Sequence, residues 1–235
     1  MNNTTIQLKV KERLNKLDSL DYDNISCWKI VESFNKAQIE WARRQIRGSN
    51  PFKDGDEGSV RRIDDLQKLL IDTPLQIIGK DLFYESLLEI PGNFLEYKRV
   101  DCHSINECCK EPRQMIVYLA EEDNRAQLLR DVNKKPSFDW GETFSTLIDN
   151  KIRIFTNNDF ELEKARFTYY RKPINIQIEG CRDPYTLNIS PVDVESEFKD
   201  DIVELIIDEA VYILAGDIES LVQAQRTSTS AERSN

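Results

Sequence analysis

The segment CHSINECC brings Cys102, His103, Cys108 and Cys109 within eight residues and is the best metal candidate in the chain. Structural zinc sites pair their ligands at C-x2-C or H-x3-H spacing, so that two donors converge without strain. Adjacent cysteines such as Cys108 and Cys109 point apart, so small apolar thiols near a strand end are the simpler reading. Nucleophilic Cys-His chemistry fares worse. His103 is the only histidine, and on a strand its neighbour Cys102 faces the opposite side, too far to share a proton. No serine elbow, Walker loop or GxGxxG is present. Asp200, Glu204 and Asp208 recur four apart on one helical face, but with no accompanying Lys or His they read as a solvated acidic stripe rather than a divalent-metal site. No catalytic residue, metal site or cofactor is expected.

The remaining chemistry is charge and aromatic surface. Arg43, Arg44 and Arg47 end one predicted helix, and Arg61 and Arg62 open the next, so five guanidiniums are expected around one loop. The helix dipole stabilises the first three and opposes the last two. Those two call for an anionic partner, and a protein carboxylate serves as well as a phosphate. Trp28, Trp41, Trp140 and the pair Tyr169-Tyr170 are possible stacking platforms for bases. Trp41 lies on an apolar stripe and reads as core, whereas Trp140, in the loop KKPSFDWGETF, reads as an interface anchor.

Helices and strands must position these groups. Ile6, Leu8, Val10, Leu14 and Leu17 mark a first amphipathic helix, and Cys27, Ile30, Val31, Phe34, Ala37 and Trp41 a second that stops at Gly48. Ser59 can cap a third in VRRIDDLQKLLID, ended by Thr73-Pro74. From Pro74 the period turns toward alternation. FLEYKRVDC and RQMIVYL read as strands, EEDNRAQLLRD as a short helix, and TFSTLIDNKIRIF as a hairpin turning at Asp149-Asn150. ELEKARFTYYR and INIQI continue the strands. The helix from Phe198 to Ile218 is apolar over more than one seam, through Ile202, Val203, Leu205, Ile206, Ile207, Ala210, Ile213 and Leu214, and must be covered on two sides. The N-terminal helices are the expected cover.

The fold class expected is therefore α+β: a helical bundle made by the N-terminal helices and the C-terminal helix, with an inserted antiparallel β region. The divisions are 1–73 for the N-terminal helical part, 74–192 for the β-rich insertion, 193–225 for the C-terminal helix and 226–235 for a flexible tail. Over 235 residues the formal charge is −10, which argues against a generic nucleic-acid binder, because such proteins need excess Lys and Arg to displace counterions. From Asp193 to Gln225 ten acids face Lys199 alone. Five cysteines without a secretory framework are expected as reduced thiols. With no apolar leader and no spanning run, cytoplasmic synthesis and no membrane contact are expected.

Three stretches resemble the head-to-tail connector ring proteins of short-tailed bacteriophages, in the gatekeeper or tail-tube lineage, and most nearly those of crAss-like phages. They are DYDNISCWKIVESFNKAQIEWARRQIRG, KPSFDWGETFSTLIDNKIRIFTNNDFELEKARFTYYRKPINIQIEGC and FKDDIVELIIDEAVYILAGDIE. A tyrosine-rich strand, a loop and a Phe-initiated helix with an Ala-rich close characterise the lineage. The resemblance implies a virion structural protein, not an enzyme. It implies copies assembled as a homo-oligomeric, dodecameric ring around the DNA channel, between the portal and other ring or tail proteins, through which the genome is ejected. Arg43, Arg44, Arg47, Arg61, Arg62 and Trp140 are then candidates for the subunit or portal interface. Asp200, Glu204 and Asp208 are candidates for an acidic surface or channel face that lets DNA pass without adhering, and the C-terminal helix would pack against a neighbouring copy as well as its own bundle. The alternatives are a nucleic-acid-binding accessory protein that places the same five arginines on phosphates, and a hydrolase holding metal at the C-terminal carboxylates or near Cys102.

Overall fold

The computed structural model describes residues 1–15, 25–47, 64–106 and 109–217. They divide into two compact units, one drawn from residues 1–69 and 172–235, the other Leu70–Arg171.

The second unit is a sheet of eight strands: β1 (Leu70–Leu75), β2 (Ile77–Gly79), β3 (Phe83–Ser86), β4 (Phe94–Asn106), β5 (Cys109–Leu119), β6 (Glu142–Ile148), β7 (Lys151–Phe155) and β8 (Glu161–Arg171). Their order across the sheet is β1-β8-β4-β5-β6-β7-β3-β2. All neighbours run antiparallel except β5 and β6, whose four-residue pairing is parallel. A parallel pair needs a crossover, and it is supplied by the segment carrying the short helix α3 (Arg125–Arg130). The two outermost strands, β1 and β2, are consecutive in the chain and separated by Gln76 alone. One residue spans no more than about 7 Å between flanking Cα atoms, so the two edges meet at that corner and the sheet curls nearly into a barrel. Its interior is filled by Val100, Cys102, Met115, Ile152, Ile154, Leu162, Ala165, Phe167 and Tyr169, with Phe167 stacked on Tyr169 at 5.0 Å; on the opposite face Phe144 stacks on Phe155 at 4.6 Å. The β6–β7 hairpin turns on Asp149 and Asn150, at φ 50° and 54°, the positive pair that a two-residue turn matched to strand twist requires.

This overturns the expected architecture. A mixed eight-stranded sheet curled toward a barrel is the dominant element, rather than a helical bundle carrying an antiparallel insertion. Two local misreadings contributed. In VRRIDDLQKLLID the final residues Leu70, Ile71 and Asp72 are strand, paired with Tyr170, Tyr169 and Thr168 of β8; a short apolar run carries no period that separates helix from strand. Pro74 sits in that strand because β1 is an edge whose proline needs no ladder partner. Conversely INIQI alternates like a strand but pairs only through an isolated bridge from Gln177 to Val194. Side chains replace the missing neighbour: Ile176 N donates to Asn35 Oδ1 at 2.9 Å, and Gln38 Nε2 donates to the Ile174 carbonyl at 3.0 Å.

The first unit packs α1 (Asn3–Asn15), α2 (Cys27–Arg47) and α4 (Asp200–Asp217). In α4, Ile202, Val203, Ile206, Ile207, Ala210, Val211, Leu214 and Ala215 are all buried, against α2 on one side and α1 on the other. Trp41 of α2 meets Phe198 edge-on at 5.1 Å, just ahead of α4. Most of the wide apolar sector is thus covered within one copy, while Leu205 and Ile213 remain half-buried. Cys27 and Cys181 form a disulfide across 154 residues, so the expectation of reduced thiols fails for that pair; Cys102 is a free, buried thiol. Among the described residues no helix is long and apolar enough to cross a membrane.

Candidate subunit interface

The three acidic candidates lie on α4 of the helical unit, and all three are paired. Asp200 accepts the N-terminal ammonium of Met1 at 2.6 Å. Glu204 is held by Lys9 and Arg13, and Asp208 accepts Arg13 at 2.7 Å, while the same guanidinium donates to the Glu204 carbonyl at 3.0 Å. α1 therefore lays two cations along the acidic stripe of α4, which the sequence presents as a bare solvated face. Lys9 and Arg13 carried no signal of this role, because nothing local in the sequence announces which helix will cover the stripe. Arg43 is exposed and Arg47 closes α2. Arg44 pairs at 3.1 Å with Glu209, a buried carboxylate of α4. Arg61 and Arg62, and with them the expected gathering of five guanidiniums, lie outside the described residues. Glu40, one turn before Arg44, was overlooked by sequence reasoning. Its carboxyl is pushed above the ordinary value of 4.5, first by partial burial and then by the Glu209 carboxylate beside it.

Trp140 stands on a tight loop of the sheet unit and is 63% exposed. Arg113 on β5 holds this loop, donating to the carbonyls of Phe138 and Asp139 at 2.9 and 3.0 Å and lying over the Phe138 ring. Gly141 follows at φ +70°, where a Cβ would stand 3.1 Å from that guanidinium, so both backbone angle and space require glycine. Next to the loop, the outer face of β5 exposes Ile116 and Tyr118, and Leu119, on the other face with Met115 and Val117, is exposed where the strand ends. Beside them opens a cleft of about 300 Å³ lined by Tyr118, Leu119, Ala120, Leu128 and Phe144, with Lys134 and Glu142 among its polar residues. Tyr118 Oη donates to Glu142 at 3.3 Å, and that carboxylate raises the phenol's pKa.

A second apolar surface belongs to the helical unit and was not singled out from the sequence. Residues 177–194 form an irregular hairpin closed by the bridges Gln177–Val194 and Arg182–Ile189. Asn3 ties its base by donating to the carbonyls of Gln177 and Val194 at 2.8 and 3.2 Å, and Cys181 anchors it to the start of α2. Its tip exposes Tyr185, Leu187 and Ile189, at 54, 64 and 70%. The available signal was DPYTLN, a turn whose Asp183 accepts the Tyr185 N–H at 2.8 Å, with Leu187 at φ 62°.

The soft-ligand segment is described only in part. Cys102 faces the interior and His103 the solvent, Cys108 lies outside the described residues, and burial pushes the Cys102 thiol up to about 12, so it holds no thiolate at neutral pH. Among the described residues, no three His, Cys, Asp or Glu side chains converge as a metal would need. Of the aromatics, Trp41 and Tyr169 are core and Trp28 is 37% exposed beneath Lys29. No protein-family model matches the chain, and no curated protein matches it.

Proposed function

We propose that the chain is a non-enzymatic structural subunit of the head-to-tail connector of a short-tailed bacteriophage. In this reading, copies assembled in the host cytoplasm form a dodecameric ring in the virion, around the DNA channel and between the portal and the tail proteins. Its assembly is what the sequence resemblance implies. The observation that carries it physically is grouped exposure of large apolar side chains on hydrogen-bonded elements: Ile116, Tyr118, Leu119 and Trp140 on the sheet unit, and Tyr185, Leu187 and Ile189 on the helical unit. Contiguous apolar patches on ordered surfaces are sites for other polypeptides. A net charge of −10 supports the same reading, since it disfavours lasting contact with channel DNA. The rival use of the arginine cluster on phosphates is weakened by the Arg44–Glu209 pair.

Light scattering and negative-stain imaging test the proposal, on the chain alone and mixed with portal assemblies of short-tailed phages. Closed rings, free or seated on a portal, are expected. A chain that forms no ring and docks on no portal overturns it. DNA affinity that falls steeply with salt and is lost in Arg43→Ala would favour the accessory-protein reading instead.

A further inference from the structure

Asp200, Glu204, Asp208 and Arg44 are each paired within one copy, so their charges need no second copy to balance them. We propose that the tip of the 177–194 hairpin of one copy inserts into the cleft beside β5 and α3 of the next. The inference rests on the ring reading for its choice of a second copy as partner.

The two surfaces match in chemistry. The hairpin projects Tyr185, Leu187 and Ile189 from a frame closed by Ser190 N donating to the Cys181 carbonyl at 2.8 Å and Asp183 N to the Asn188 carbonyl at 2.8 Å. Arg182 Nε donates to the Leu187 carbonyl at 3.0 Å and holds that residue in its left-handed conformation. Backbone of this kind costs free energy and persists where surrounding bonds over-determine it. A projection fixed in advance loses little conformational freedom on binding. The receiving cleft is apolar on Tyr118, Leu119, Leu128 and Phe144, and its volume of about 300 Å³ admits a large side chain. Charge agrees as well: Arg182 and Asp183 flank the projecting residues, while Glu142 and Lys134 flank the cleft, giving one opposite-sign partner to each. Projection and cleft are different surfaces of one chain. Their contact is therefore heterologous and propagates from copy to copy, closing into a ring or running on as a filament according to the rotation it imposes.

The test replaces Tyr185 by the photocrosslinker p-benzoylphenylalanine in the full chain, mixed with isotopically labelled wild-type chain, so that links within and between copies differ in mass. Links between copies to the peptides containing Tyr118, Leu119 or Leu128 are expected. Links to any other surface, links only within a copy, or no link between copies at about 1 mM protein overturn the inference. Leu187→Asp is expected to weaken self-association by at least about tenfold, with circular dichroism and thermal midpoint unchanged because the side chain is exposed. An unaltered association in that variant also overturns it. Imaging separates the two readings: filaments cross-linked at the cleft would sink the ring while keeping this contact, and rings cross-linked elsewhere would do the reverse.

Discussion

Helix α4 and strand β5 are both rich in large apolar residues, and the molecule treats them in opposite ways. α4 buries Ile202, Val203, Ile206, Ile207, Val211 and Leu214 between α1 and α2, and its acids are met by Lys9, Arg13 and Arg44. β5 buries Met115 but leaves Ile116, Tyr118 and Leu119 in solvent, beside an open cleft. The strand is two-sided and only one face meets the sheet interior, whereas a helix between two others is covered over most of its circumference. An apolar or acidic count read along the chain therefore says little about what remains available to a partner.

The contrast can be broken most severely from the sheet interior. Phe167, 1% exposed and ringed by Phe94, Tyr97 and Tyr169, should lose about 3–5 kcal/mol as Phe167→Ala, read from denaturant unfolding. Reduction of Cys27–Cys181 comes next, at about 2–4 kcal/mol. Hydrogen exchange should show the loss in the 177–194 hairpin and the start of α2, and equal deprotection of β4 and β8 would show that the two units are not independent. Arg13→Ala should cost about 1–2 kcal/mol by leaving Glu204 and Asp208 short of a donor, with no change in self-association if those acids form no interface.

Smaller still is the effect of Glu40. Its folded carboxyl binds a proton more tightly than the unfolded one, so this group's contribution to stability is greatest below pH 4.5 and is lost as pH rises through the higher folded value. Glu40→Gln should therefore raise the thermal midpoint slightly at neutral pH and lose that advantage below pH 4.5. A stabilisation that persists unchanged in acid would show that the cost of ionising Glu40, set by burial and then by Glu209, is not its cause. Smallest of all, Leu119→Asp should shift stability by no more than about 0.5 kcal/mol, since Leu119 is 48% exposed; a large loss would place that residue in the core and erase the distinction between strand and helix.

Helix α2 and the core face of α4 were legible because their apolar residues repeat at helical spacing over many turns, and the β6–β7 hairpin because Asn150 announces a positive φ. What the chain did not reveal was set by long-range pairing. Leu70–Leu75 is a strand only because β8 lies alongside it, INIQI is not one because Asn35 and Gln38 take its backbone groups, and neither partner is near in sequence. The candidate interface shows the same division. Trp140 could be singled out from its loop, but the cations on the acidic stripe, the Cys27–Cys181 bridge and the hairpin tip depend on contacts made across most of the chain.

Gln76, the lone residue between β1 and β2, has a mechanical consequence. The outermost strands of the sheet are stitched by a peptide linkage, so the sheet cannot unfurl at that corner without pulling on a covalent chain. It works as a hoop with a permanent rivet. Pressure from inside or tension along the rim is carried there by bonds that neither heat nor denaturant breaks, and lengthening this junction by a few residues would loosen the hoop while leaving every strand's own sequence untouched.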